Sequence, residues 1–270
     1  VLAAENKIAQ SGANKDGLVD VCPTPCPPVS PKSEGLSMSR QFGLLVCLGI
    51  LLMTGCALNF SSFAGVQGSG VIATETRDVG DFTGLDLRGS ATVKIAVGQK
   101  ASVVLELDDN LLPLIQTEVR NGQLVIDNKQ SYRSSNGLNV SITVPELHQL
   151  AVNGAGDISI VNLNSDEFEV DLNGSSDVTA LGSARKLAVT INGSGTVHLE
   201  DVVANEATAT IRGSGDIRLQ VLEKLSATIL GSGDIRYRGT PQVSKSIQGS
   251  GSVAPLAEPA TTDPVPAEKD

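Results

Sequence analysis

Four aspartates occupy equivalent places in a recurring Gly turn, and they are the first residues whose type and spacing could do chemistry. Asp157, Asp177, Asp216 and Asp234 each close a short Gly-containing segment. Carboxylates repeated along one edge of a stack of strands could supply the oxygen ligands that Ca²⁺ takes. Calcium β-rolls use a nine-residue repeat with differently spaced Asp. Here Thr196 and Ser252 interrupt the column, and Arg212, Arg218, Arg236 and Arg238 stand nearby to neutralise it, so the main reading is a solvated turn edge with no resident metal. Imidazole chemistry has two candidates. His198 alternates outward beside Val197 and Leu199, and His148 falls at an inward-type position near the start of a repeat; each is read as a structural or surface His and not as a catalyst. No Gly-x-Ser-x-Gly elbow is present. Gly68-Ser69-Gly70-Val71-Ile72-Ala73 formally matches a dinucleotide glycine pattern, but Thr74-Glu75-Thr76 offers no helix to receive a pyrophosphate. Cys22 and Cys26 have three residues between them and no second pair follows, a weak metal or disulfide signal. Asn173-Gly174-Ser175 and Asn192-Gly193-Ser194 match the glycosylation sequon and are read as turn chemistry. No catalytic residue and no cofactor is assigned.

The elements that carry these residues follow from composition and spacing. The chain has 270 residues, 30 acidic against 20 basic, for a formal charge of −10, which disfavours nucleic acid and anionic lipid as electrostatic partners. Aromatic residues are 3 % with no Trp while Gly reaches 28, so the core is expected to be aliphatic and the turns numerous. The Gly turns recur. Asn153-Gly154-Ala155-Gly156-Asp157, Asn173-Gly174-Ser175-Ser176-Asp177, Asn192-Gly193-Ser194-Gly195-Thr196, Arg212-Gly213-Ser214-Gly215-Asp216, Leu230-Gly231-Ser232-Gly233-Asp234 and Gln248-Gly249-Ser250-Gly251-Ser252 follow one another at steps of 20, 19, 20, 18 and 18 residues. Gly68-Ser69-Gly70 and Arg88-Gly89-Ser90-Ala91 resemble outlying copies.

Apolar residues fall two, four and often six positions before the first Gly of each unit and four and six after it, the period of a strand. The inward set so predicted is Phe168, Val170, Leu172, Val178 and Ala180, then Leu187, Val189, Ile191, Val197 and Leu199, then Ala209, Ile211, Ile217 and Leu219, then Leu225, Ala227, Ile229, Ile235 and Tyr237. A unit this short cannot bury its own apolar side, so successive units must stack. The predicted fold is therefore all-β, a parallel β-helix or β-solenoid with 18–20-residue coils and Gly-Ser-Gly-Asp corners at Gly154, Gly174, Gly193, Gly213, Gly231 and Gly249. An antiparallel sandwich with hairpins at Asn192-Gly193 and its equivalents is the rival. Val103 to Val144 breaks the rhythm: it holds a helical turn at Asp109–Pro113, a hairpin around Asn121-Gly122 and a polar loop from Gln130 to Gly137, an insertion between early and late coils. Lys245, at an inward-type position of the last coil, would blunt the open end.

The N-terminal part speaks of an address. Met38-Ser39-Arg40-Gln41 precedes an apolar run from Phe42 to Leu52, and Met53-Thr54-Gly55-Cys56 follows. Those 11 residues are well short of the roughly 20 that a spanning helix needs. The site resembles the lipobox of bacterial lipoproteins, with Met53 in place of the more usual Leu, which implies lipidation of Cys56; Ala57 after it favours outer-membrane sorting by the same analogy. The expected organisation is 1–37 as an unstructured, overextended start, 38–55 as a lipoprotein signal peptide, 56–66 as the lipidated Cys and linker, 67–254 as the solenoid, and 255–270 as a Pro/Ala-rich disordered tail.

Phe82-Thr83-Gly84-Leu85-Asp86-Leu87-Arg88-Gly89-Ser90, Asn121-Gly122-Gln123-Leu124-Val125-Ile126 and the Gly-Ser-Gly-Asp series together resemble the head GIN domain family of auto-transporter adhesin heads, over about Phe82 to Val253. The resemblance implies a β-helix-like fold on secreted or lipid-anchored bacterial proteins, with no catalytic residues to carry over. The function expected is a non-enzymatic, lipid-anchored envelope or surface module that binds a surface protein or glycan, or is structural, with self-association possible. It would be secreted across the inner membrane, held to a membrane by its anchor, and indifferent to nucleic acid. A carbohydrate-active enzyme on a β-helix and a calcium-binding β-roll at Asp157, Asp177, Asp216 and Asp234 are the alternatives.

Overall fold

A computed structural model of the protein describes residues 65–256. The signal segment, Cys22, Cys26, Cys47, Cys56 and the tail beyond residue 256 lie outside the described residues.

The chain is a parallel β-solenoid. Strands Gly84–Ser90 and Gln149–Ala155 are followed by four long ones that wrap a whole coil each: Asp157–Gly174, Asp177–Gly193, Thr196–Gly213 and Asp216–Gly231. Asp234–Arg238, Gln242–Gly249 and Ser252–Pro255 finish the stack. Every neighbour in this series pairs in parallel, and the register places Gly89, Gly154, Gly174, Gly193, Gly213, Gly231 and Gly249 in single file. Asn192-Gly193 is therefore a solenoid corner and not a hairpin. An L side chain does not fit there. Gly193 has φ +148°, and a Cβ on it would stand 2.2 Å from the carbonyl oxygen of Gly174 one coil below. At the second Gly of the corner the obstacle is different: a Cβ on Gly215 would meet the Gly195 oxygen at 2.5 Å and a methyl of Ile191 at 2.8 Å.

The predicted inward rows are buried, Tyr237 alone being half-exposed. Each fully buried aliphatic side chain contributes about 1.5–3 kcal/mol relative to exposure, and a coil presents these to its neighbours above and below. A further inward group, Leu163, Ala184, Val202, Ala204 and Val221, lines the middle stretch of each long strand. Pairing slips on that stretch, between Ile160 and Leu163, between Thr179 and Leu181 and between Leu199 and Val203. The differences in coil length are absorbed there, which leaves the glycine corner in strict register.

The excursion from 98 to 148 does not separate the coils in space. Gly84–Ser90 pairs directly with Gln149–Ala155, and Val93 with Ile158, so the early coil lies against the late ones. The excursion instead covers the outer side of that first coil. Gln123–Asn128 runs parallel to Gly84–Leu87 and Asn139–Val144 parallel to Thr92–Val97. Antiparallel strands Ile115–Arg120, Ser102–Asp108 and Ile72–Arg77 add on beyond them. This is an end cap built on Leu105, Leu107, Leu111, Leu124 and Ile142, all buried. Asn121 and Gly122, at φ 53° and 78°, make the tight turn expected of that dipeptide, and the helical turn is a 3₁₀ turn at Leu112–Leu114.

Asp108 ties the cap together. Its side chain belongs to a residue only 1 % exposed and accepts hydrogen bonds from the Gly70 N–H (2.7 Å), the Ser134 hydroxyl and the Asn136 amide (3.3 Å). The Ser134 hydroxyl, followed by those N–H donors, holds the carboxyl below the usual carboxylate range against the opposing effect of burial.

Candidate functional site

The glycine file creates two columns of side chains beside it, and each has a defined set of partners. On one side Asp157, Asp177, Thr196, Asp216, Asp234 and Ser252 align, coil by coil. Asp216 accepts the Asp234 N–H at 3.0 Å, and Asp234 accepts the Ser252 N–H at 2.9 Å and its hydroxyl at 2.8 Å. The Ser252 hydroxyl, then its N–H and Arg236, keep the Asp234 carboxyl below its ordinary range despite partial burial. These two carboxylates thus bond the backbone of the next coil. Among the described residues no three His, Cys, Asp or Glu side chains converge as metal ligands do. On the other side of the file, Asn153, Asn173 and Asn192 form an amide ladder. Arg212 donates to Asn192 (3.3 Å), Asn192 to Asn173 (2.8 Å), Asn173 to Asn153 (3.0 Å) and Asn153 to Asp86 (2.9 Å).

The two imidazoles stand apart. His198 lies in file with Thr179 and Arg218, 3.5 Å from Glu200. His148 is exposed, contrary to the inward position expected for it, because Leu147 turns into the core in its place. Its Nδ1 is 2.9 Å from the Ser165 hydroxyl and its Nε2 is 3.4 Å from Glu146.

His148 borders a groove that the sequence reading did not single out. It crosses the middle of the long strands Asp157–Gly174, Asp177–Gly193 and Thr196–Gly213, has a volume of about 840 Å³, and is lined by Gln149, Glu169, Lys186, Glu206 and Thr208 among others. A second hollow of about 600 Å³ adjoins it. His148, Asp166 and Arg185 line both, the last two 3.5 Å apart. The register aligns Glu167, Lys186, Glu206 and Lys224 in a column of alternating sign, whose first three residues line the groove. Lys186 donates to Glu167 at 2.9 Å, and that bond, then the charge itself, holds the Glu167 carboxyl below its usual range. The signal was present in the sequence: each of these four residues stands seven positions before the corner glycine of its coil. The carboxylates whose proton affinity is clearly displaced, Asp108, Glu118, Glu167 and Asp234, all move downward. Such groups stay ionised at neutral pH, which suits ion pairing and hydrogen-bond acceptance and not proton donation.

A sequence model of the family described as putative auto-transporter adhesin, head GIN domain, matches residues 81–241. The chain belongs to the head GIN family. The matched span begins just before the first coil and ends after Asp234–Arg238, so it takes in the end cap apart from Ile72–Arg77 and the glycine file from Gly89 to Gly231. Among solved structures, a putative adhesin from Bacteroides fragilis is 25 % identical, with a TM-score of 0.59 over 71 % of this chain and 100 % of that one. A putative adhesin from Parabacteroides distasonis is 20 % identical, with a TM-score of 0.46 over 71 % of this chain and 100 % of that one. A putative lipid binding protein from the same species is 23 % identical, with a TM-score of 0.44 over 71 % and 99 %. No curated protein matches the chain. An adhesin-like family of this kind is one of surface or extracellular proteins.

Proposed function

We propose that this head GIN protein is a non-enzymatic, adhesin-like binding module, tethered in the cell envelope through an acylated Cys56, that engages a surface protein or glycan along its solenoid face. The observation that carries the reading is the groove beside the Glu167–Lys186–Glu206–Lys224 column, set on strands whose register is fixed by the glycine file. On a rigid face whose charge alternates from coil to coil, like contacts recur at every second coil, about 9.6 Å apart, and many tethered copies on one membrane add avidity without any single tight site. Within the groove, the Lys186 hydrogen bond that lowers the Glu167 carboxyl supports an ion-pairing role for that residue.

The test is a ligand array probed with the mature chain displayed multivalently, alongside a variant with Arg185→Ala and Lys186→Ala. Exposed ion pairs contribute about 0–1 kcal/mol to stability, so this variant keeps its fold. Loss of at least roughly tenfold in apparent affinity, about 1.4 kcal/mol, supports the reading. Binding that ignores both substitutions, or release of cleaved glycan during incubation, overturns it. Mass spectrometry of the mature N-terminus tests the address: an acylated Cys56 is expected, and an unmodified N-terminus at another residue refutes the anchor.

A further inference from the structure

The two ends of the solenoid are finished differently. The excursion from 98 to 148 closes the first coil, whereas among the described residues no strand pairs with the outer edge of Gln242–Gly249 or Ser252–Pro255. The inward row is consequently open at that end. Ile247 is 38 % exposed, while its register partner Ile229 is 0 % exposed, and Val243 and Val253 are only partly buried where Leu225 and Ile235 are fully so. Repeat folds need a polar cap on such an end to stay apart from one another.

The charge of the end is also distinct. From 212 to 256 there are six cations and three carboxylates, against nine and nineteen from 65 to 211. Neither Arg238 nor Lys245 has a carboxylate within 4.0 Å among the described residues; Arg238 reaches only the Glu200 carbonyl oxygen, at 3.4 Å. The chain leaves the stack at this same end, since the Leu256 N–H still donates to the Tyr237 oxygen at 2.7 Å. The next fourteen residues carry Glu258, Asp263, Glu268 and Asp270 against Lys269 alone, with Pro259, Pro264 and Pro266 among them.

We propose that residues 257–270 fold back across the open C-terminal end as an acidic cap, covering Val243, Ile247 and Val253 and pairing their carboxylates with Lys245 and Arg238. Length permits it. Fourteen residues reach up to about 46 Å, whereas the widest strand of the last coil, eight residues, spans about 27 Å. The three prolines suit the role, because a segment lacking those N–H groups covers an edge without presenting a new one for another copy to join.

Hydrogen exchange of residues 242–255, with size-exclusion chromatography and light scattering, tests the cap on the full chain. Two variants are compared: one ending at Leu256, and one with E258Q, D263N, E268Q and D270N. Removing the tail is expected to raise exchange of the last coil roughly tenfold while leaving 149–212 unchanged, and to cause concentration-dependent association. The amide variant, or about 1 M salt with its Debye length of about 3 Å, should reproduce part of the effect. If exchange at 242–255 is the same in all three proteins, the cap is refuted. It is also refuted if the full chain is a dimer whose last coil is protected with or without the tail, since a second copy then covers the end.

Discussion

Replacing Gly193 by Ala tests whether the glycine file holds the coils at their spacing. An L residue at φ +148° costs about 1–3 kcal/mol in backbone strain. The added methyl carbon would lie 2.2 Å from the Gly174 oxygen, so it must retreat by more than an ångström from a backbone atom that has no rotamer to change. That retreat stretches the Ser194 N–H bond to Gly174 (3.0 Å) and the Ser214 N–H bond to Gly193 (2.9 Å), each with a net value of about 0.5–1.5 kcal/mol. The sum is about 2–6 kcal/mol. At 2–4 °C per kcal/mol for a domain of this size, Tm should fall by roughly 10 °C. Gly122→Ala is the matched control: φ is +78°, but nothing lies within 4 Å of its Cβ, so the cost is about 1–2 kcal/mol. Urea titrations of both variants, read by Cm at unchanged m, give the comparison. If Gly193→Ala is no more destabilising than Gly122→Ala, close approach of coils is not what requires glycine at the corner.

Three other outcomes follow from the same contacts. The Asp108 and Asp234 carboxyls are held below their unfolded values, so their contribution is fully present above about pH 4 and lost as pH falls through the folded values; Asp108→Asn should be less stable at pH 7 and show a shallower loss of Tm on acidification than the parent. A Ca²⁺ ion held at a hundred times its Kd would add about 2.7 kcal/mol, several degrees in Tm, whereas with Asp216 and Asp234 bonded to the next coil a chelator should leave the melting curve in place. Asn173→Ala interrupts the amide ladder at a rung that both donates and accepts and should cost about 1 kcal/mol, measurable as a lower Cm.

The coil and its inward rows were legible because glycine spacing and period-two alternation report on single units, and every unit repeats them. The third inward group was not, because Leu163, Ala184, Val202 and Val221 sit where the coil length varies and alternation loses its phase. His148 was misplaced for a related reason: Pro145 and the turn after Val144 shift the phase by one, so that Leu147 takes the inward position. The insertion was recognised from broken rhythm, but its place on the outer side of the first coil depends on pairing between residues such as Gly84 and Gln123, which no local pattern encodes. The groove lay hidden for the opposite reason. Its charged column is visible only when residues 167, 186, 206 and 224 are read across coils and not along the chain.

The amide ladder has a direction. Each Asn gives its N–H to the rung on the N-terminal side and takes one from the rung on the C-terminal side, with Asp86, which can only accept, at one terminus and Arg212, which can only donate, at the other. Side-chain dipoles along this ridge therefore add up instead of cancelling. Duplicating one Asn-bearing coil within the row would lengthen the molecule while leaving both charged termini matched, so the ladder marks where a solenoid of this kind tolerates growth by whole turns.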